Sequence, residues 1–201
     1  MRIIETRTAP NPRRVRIFLA EKGLHVAFED RDLGSLTAPD FNSLNPEQRV
    51  PVLVLDDGTH ISETVAICRY FEELQPQPVL MGSGPAGRAI VEMWQRRVEL
   101  GLFAHVAAAF RHLHPSMAAL EVPQIAAWGE ANKPKAQAAL AKCDQQLSQH
   151  PFIAGDTYSI ADITLLVAID FMKPARIVRP PELIHLNRWY EAVSSRPSAK
   201  A

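Results

Sequence analysis

Residues able to do chemistry cluster in three places in the first half of the chain. In the stretch Thr6-Arg-Thr-Ala-Pro-Asn-Pro, Thr8 can donate its hydroxyl and Asn11 its amide N–H. Each also has a plain structural use: Thr8 as a turn residue, and Asn11 as a helix N-cap with Pro12 at the first helical position. Arg49 carries a guanidinium able to grip a carboxylate with two parallel hydrogen bonds, and it equally suits a solvated surface. Val50 precedes Pro51, which opens an apolar run where its missing N–H is harmless. Glu63 and Thr64 stand at the start of a helical pattern, where free N–H groups attract anions and where acidic or hydroxyl side chains also serve as favourable charge and caps. The first loop has no cysteine, which excludes a Cys-x-x-Cys redox mechanism. Cys68 and Cys143 fall inside helical patterns and read as inert packing residues. His105 and His112 share one helix face, but no third ligand is placed, so no metal site is expected.

The elements that must position these residues follow from periodicity and breakers. Residues 2–6 read as a strand, a helix runs from Arg13 to a glycine C-cap at Gly23, and residues 26–29 form a second strand. After a short irregular segment, residues 51–55 and the run beyond Asp57-Gly58 form a hairpin, because Asp-Gly between apolar runs is a turn signal. A helix follows, with Ile67, Tyr70, Phe71 and Leu74 at helical spacing. Residues 75–87 hold Pro76, Pro78 and Pro85 with Gly82, Gly84 and Gly87, the composition of a linker. Beyond them the pattern is helical: 88–113, 122–149 with a soft interruption at Pro134, a helix from Ser159, and 181–195. The expected organisation is an α/β domain at 1–78, a linker at 79–86 and an all-α domain at 87–201. Ser159 and Asp162 have the spacing of a capping box, with Tyr158 and Ile163 as its hydrophobic staple, a device for folding rather than activity.

Composition narrows the function classes. The 201 residues are 47% hydrophobic and 22% charged, which supports a sizeable core. The 22 basic residues balance 22 acidic ones, so nothing favours a nucleic-acid partner. The longest apolar run, 163–169, is far short of a bilayer span. The opening Met-Arg-Ile-Ile-Glu lacks the apolar stretch of a secretion signal, and a cytoplasmic location is expected.

Several segments together resemble the cytosolic glutathione transferase family: residues 9–23, Asn45-Pro-Glu-Gln-Arg-Val-Pro-Val-Leu, Ile61-Ser-Glu-Thr-Val-Ala-Ile-Cys-Arg-Tyr-Phe, the capped helix start at 159–162 and the tail at 196–201. Their order and spacing cover nearly the whole chain. The resemblance implies a thioredoxin-like N-terminal domain, a helical C-terminal domain and a two-fold dimer. It implies a cis bond before Pro51, with the Val50 backbone offered to the cysteine of glutathione. It further implies Glu63 and Thr64 at the γ-glutamyl end and Arg49 near the glycine carboxylate. Where other members place Tyr, Ser or Cys, this chain has Thr8 and Asn11, a departure that resembles bacterial and fungal relatives with disulfide-reductase activity.

The expected function is that of a glutathione-dependent transferase, with glutathione as co-substrate and no metal. Thr8 or Asn11 would stabilise the thiolate, which attacks a small hydrophobic electrophile held by the helical domain, as in detoxification. Glutathione-dependent disulfide reduction is a variant, and a non-catalytic binding or scaffold protein of the same fold is the alternative. Trp94, Phe103 and Phe110 could line the electrophile pocket; their other use is in a core or a dimer interface.

Overall fold

Alternation of short apolar strands with amphipathic helices builds the first unit, and the computed structural model describes it within a chain whose 201 residues are all placed. By contacts the chain divides into Met1–Val79 together with Pro197–Ala201, and Leu80–Arg196. In the first unit the elements are β1 (Arg2–Glu5), α1 (Pro10–Lys22), β2 (Ala27–Asp30), α2 (Pro39–Leu44), β3 (Val52–Val54), β4 (His60–Ile61) and α3 (Thr64–Leu74). The sheet order is β2-β1-β3-β4, with β1 parallel to β2 and antiparallel to β3, and β3 antiparallel to β4. A parallel pair bridged by a helix, followed by a hairpin and a second helix, is the expected thioredoxin-like arrangement.

Two expectations about α1 are corrected. The helix starts at Pro10 rather than Arg13, and its N-cap is Ala9 rather than Asn11. Both Pro10 and Pro12 suit a first turn, because each lacks an N–H that would have no intrahelical partner there. The earlier proline wins, so Asn11 lies inside the first turn. At the other end Gly23 caps the helix as expected, with φ of 64°. The segment read as irregular contains a 3-10 turn (Leu33–Thr37) and α2, which Pro39 opens with Asp40 in its first turn. Lys22, wholly buried, donates to the carbonyls of Gln75 (2.8 Å) and Pro78 (2.6 Å) and pairs with Glu72, tying the end of α1 to the end of α3. The C-terminal turn Pro197–Lys200 returns to this unit, where Arg13 Nη2 donates to Ala199 O at 3.1 Å.

The second unit is helical: α4 (Gly84–Val98), α5 (Ala104–Leu113), α6 (Ala126–Leu147), α7 (Ile160–Met172) and α8 (Ile184–Ser194). The helix expected from about 88 starts earlier, and one π-helical turn, Glu99–Phe103, joins α4 to α5. α6 runs through Pro134 unbroken. α7 is apolar around most of its circumference and buried throughout its central turns, the pattern of a helix at the centre of a bundle. At its start the capping box is formed, with Tyr158 and Ile163 both buried. Asp162 accepts from Ser159 N (3.0 Å), Ser159 Oγ (3.0 Å), Ile153 N (2.9 Å) and Trp189 Nε1 (2.9 Å).

Candidate functional site

Sheet register brings the three candidate segments to one end of the first unit. Ile4 pairs with Val52 and Leu53 with Ile61. Because β3 runs against both neighbours, the loop leaving β1, the segment entering β3 and the segment leaving β4 emerge on the same edge. Continuing the β3–β4 register sets Glu63 level with Pro51. Thus Thr8 and Asn11, then Arg49, Val50 and Pro51, then Glu63 and Thr64 meet at the tips of three adjacent strands.

The loop after β1 is held by its neighbours. Thr6 Oγ1 donates to Arg31 O at 2.7 Å, Ala9 N–H donates to Thr6 O at 2.8 Å, and Arg7 N–H donates to Asp30 Oδ1 at 2.8 Å. Arg16 adds a bond to Arg7 O at 3.0 Å and an ion pair with Glu5. Thr8 is exposed at the tip. Ala9 packs against the cluster of Ile4, Leu36, Phe41, Val50, Val52 and Val54, so the loop and the Val50 segment share one apolar base. No side chain caps α1. Since Pro10 and Pro12 carry no N–H, Asn11 supplies the only backbone donor among the first three helical positions. The half-buried Asn11 side chain accepts from Arg14 Nη1 at 3.1 Å.

The second segment is shaped by Asn45, buried at 5% exposure. Its Nδ2 donates to Arg49 O at 2.8 Å and its Oδ1 accepts from Glu47 N at 3.2 Å. The turn so formed delivers the cis Val50–Pro51 bond expected from the resemblance. The Val50 side chain is in the apolar cluster, while its N–H and C=O lie outside the ladder that begins at Val52. Arg49 is exposed, and its Nη1 donates to Gln48 O at 3.1 Å.

At the third segment Glu63 is the N-cap of α3 with φ of 69° and ψ of 116°, a left-handed conformation for a residue with a Cβ. Such strain costs about 1–3 kcal/mol and concentrates at ligand clamps. Glu63 makes no capping bond from its exposed side chain, and Thr64 is buried. The N–H groups of the first turn of α3 therefore have no capping side chain at the positive end of an 11-residue helix.

Arg14, Asn45 and Thr6 were not singled out from the sequence. Arg14 had a visible signal: it sits on the α1 stripe with Ile17 and Phe18, and a charge at a core-facing position must be paired. The other candidates have structural partners in the second unit. His105 Nδ1 lies 2.7 Å from Asn132 Oδ1, and His112 Nδ1 accepts from Ile125 N at 3.0 Å. Phe103 and Phe110 both pack on Phe171, at 6.2 and 4.8 Å between centroids. Trp94 is elsewhere, in the wall of a cavity of about 710 Å³ with Arg97, Lys142 and Cys143. Burial pushes the Cys143 thiol up to about 12, consistent with a packing role.

Comparison with known proteins identifies the family of the chain. Residues 8–74 match the family model of the glutathione S-transferase N-terminal domain, and residues 126–192 that of the C-terminal domain. Glutathione S-transferase 2 of Saccharomyces cerevisiae is 37% identical over 205 residues, covering 100% of this chain and 88% of the relative. A maleylacetoacetate isomerase of Pseudomonas aeruginosa is 32% identical over 164 residues, covering 76% and 72%. A solved glutathione S-transferase domain-containing protein of Marinobacter aquaeolei superposes with a TM-score of 0.93 at 39% identity, covering 98% and 99%. The chain belongs to the glutathione S-transferase family, whose members use glutathione as substrate. Both a transferase and an isomerase stand among its relatives, so family membership leaves the reaction open.

Proposed function

We propose that the first unit binds glutathione across this end of the sheet and activates its thiol for transfer to a small hydrophobic electrophile. The observation that carries the reading is the convergence of three polar arrays on one edge: the Val50 main chain, the uncapped first turn of α3 beside Glu63, and the donors of Asn11 and Thr8. Each suits one part of the tripeptide. The Val50 N–H and C=O pair with the cysteinyl main chain as an added strand would. Thr64 and the α3 N–H groups hold the γ-glutamyl carboxylate, Glu63 accepts from the α-ammonium, and Arg49 faces the glycine carboxylate.

The sulfur then lies by the positive end of α1. A hydrogen bond from Asn11 or Thr8 favours the charged form and lowers the thiol pKa. In the transfer step a sulfur–carbon bond forms, and the displaced electron pair leaves with a departing group or is protonated on the acceptor. A second reading, glutathione-dependent disulfide reduction, is favoured by Thr8 and Asn11 standing where Tyr, Ser or Cys is usual. There two glutathione molecules supply two electrons, the target disulfide becomes two thiols, and glutathione disulfide leaves. A homodimer working in the cytoplasm, in detoxification, completes the proposal.

Calorimetric titration with glutathione tests the site. Glu63→Ala is expected to weaken binding about ten- to a hundredfold, the worth of one charge-assisted hydrogen bond. Equal affinity of wild type and variant would remove Glu63 from the site. Absence of binding to the wild type would leave a scaffold protein of the same fold.

A further inference from the structure

Asn11 and Thr8 stand side by side as donors, and the atoms around Asn11 distinguish them. An amide can present either its oxygen or its nitrogen to a ligand, and only the nitrogen can donate to a thiolate. Which end faces outward is decided by what holds the other. Arg14 lies one helical turn along α1, is 2% exposed, and places Nη1 3.1 Å from the Asn11 oxygen. A guanidinium has five donors and no acceptor, so it admits the oxygen of Asn11 and excludes its nitrogen. The Asn11 Nδ2 is then turned away from Arg14, and it makes no hydrogen bond with any protein group.

The backbone reinforces the same point. Prolines at 10 and 12 strip the first turn of α1 of its other donors, so the positive end of this helix is expressed through the Asn11 N–H and the Asn11 amide. Thr8 has no comparable restraint: it is exposed at the loop tip, and its hydroxyl is free to rotate and to act as donor or acceptor.

We infer that Arg14 is a positioning residue that locks the Asn11 amide nitrogen-outward, making Asn11 rather than Thr8 the donor to the sulfur of bound glutathione. The inference rests on the glutathione reading above. It differs from a purely structural role for Arg14, which would leave the bound thiol unaffected as long as the chain folds.

The test is the pKa of glutathione's thiol when bound, followed by thiolate absorbance across pH at saturating glutathione. Arg14→Leu is expected to raise that pKa by about one unit, moving the midpoint of the thiolate band up by the same interval. Arg14→Lys, which also offers donors only, is expected to restore most of the wild-type value. An Arg14→Leu protein that binds glutathione and ionises it at the wild-type pKa overturns the inference. Should Arg14→Leu not fold, the orientation is read from Asn11 itself. With one oxygen held by Arg14, Asn11→Asp turns the other oxygen toward the sulfur and is expected to suppress the thiolate more than Asn11→Ala does. Equal effects of those two substitutions, or a larger effect from Thr8→Val than from Asn11→Ala, overturn it as well. If the wild type forms no bound thiolate, the glutathione reading itself fails, a result distinct from all of these.

Discussion

A carboxylate buried without a countercharge is held here by four donors, and that single residue sets a measurable property of the chain. Asp162 receives bonds from two backbone N–H groups, a hydroxyl and an indole. Burial still dominates and pushes its carboxyl from 3.8 up to about 6. Between those values the folded chain keeps a proton that the unfolded chain has released. By linkage, this group's contribution to stability falls as pH rises from about 4 to about 6 and is level above. Asp162→Asn keeps one acceptor oxygen and orphans donors on the other side, a loss of about 1–3 kcal/mol for each buried group left unpaired. Urea denaturation from pH 4 to 7 is expected to show a less stable variant that lacks this group's fall over that window. A variant with the wild-type slope would show that Asp162 does not titrate there.

At the scale of elements, close approach between helices makes its own demand. A Cβ on Gly129 of α6 would stand 2.6 Å from Leu113 Cγ and 3.2 Å from His112 Cβ on α5. Alanine ordinarily gains about 1 kcal/mol over glycine inside a helix. Here overpacking of about 1–3 kcal/mol opposes that gain, so Gly129→Ala is expected to lower the thermal midpoint; a raised midpoint would show that α5 yields freely. What could be read from sequence divides along similar lines. Val50-Pro51 and Glu63-Thr64 were legible because proline and turn residues mark the element boundaries on which they sit. The start of α1 was ambiguous, since Pro10 and Pro12 both satisfy the first turn and no local signal ranks them. α2, with six residues, is too short to show a period, though Pro39 and Asp40 mark its start. The partner of Phe103 and Phe110 was hidden because Phe171 comes from a helix far along the chain. The Arg14–Asn11 contact lies only three residues apart, yet its meaning depends on Arg14 being buried.

For the whole molecule, a balanced charge leaves ligand capture to local geometry rather than to a long-range field. The sheet edge that gathers Asn11, Val50 and Glu63 is assembled from strands and helices within one unit, and the tail at Pro197–Lys200 folds back onto that unit. On the proposed function, one unit both holds glutathione and ionises it. An ultraviolet difference titration of glutathione into the full chain, repeated across pH, measures both at once. A saturable thiolate band is expected at neutral pH, well below the pH at which a free thiol ionises. Saturable binding without that band, or no binding at all, would contradict it.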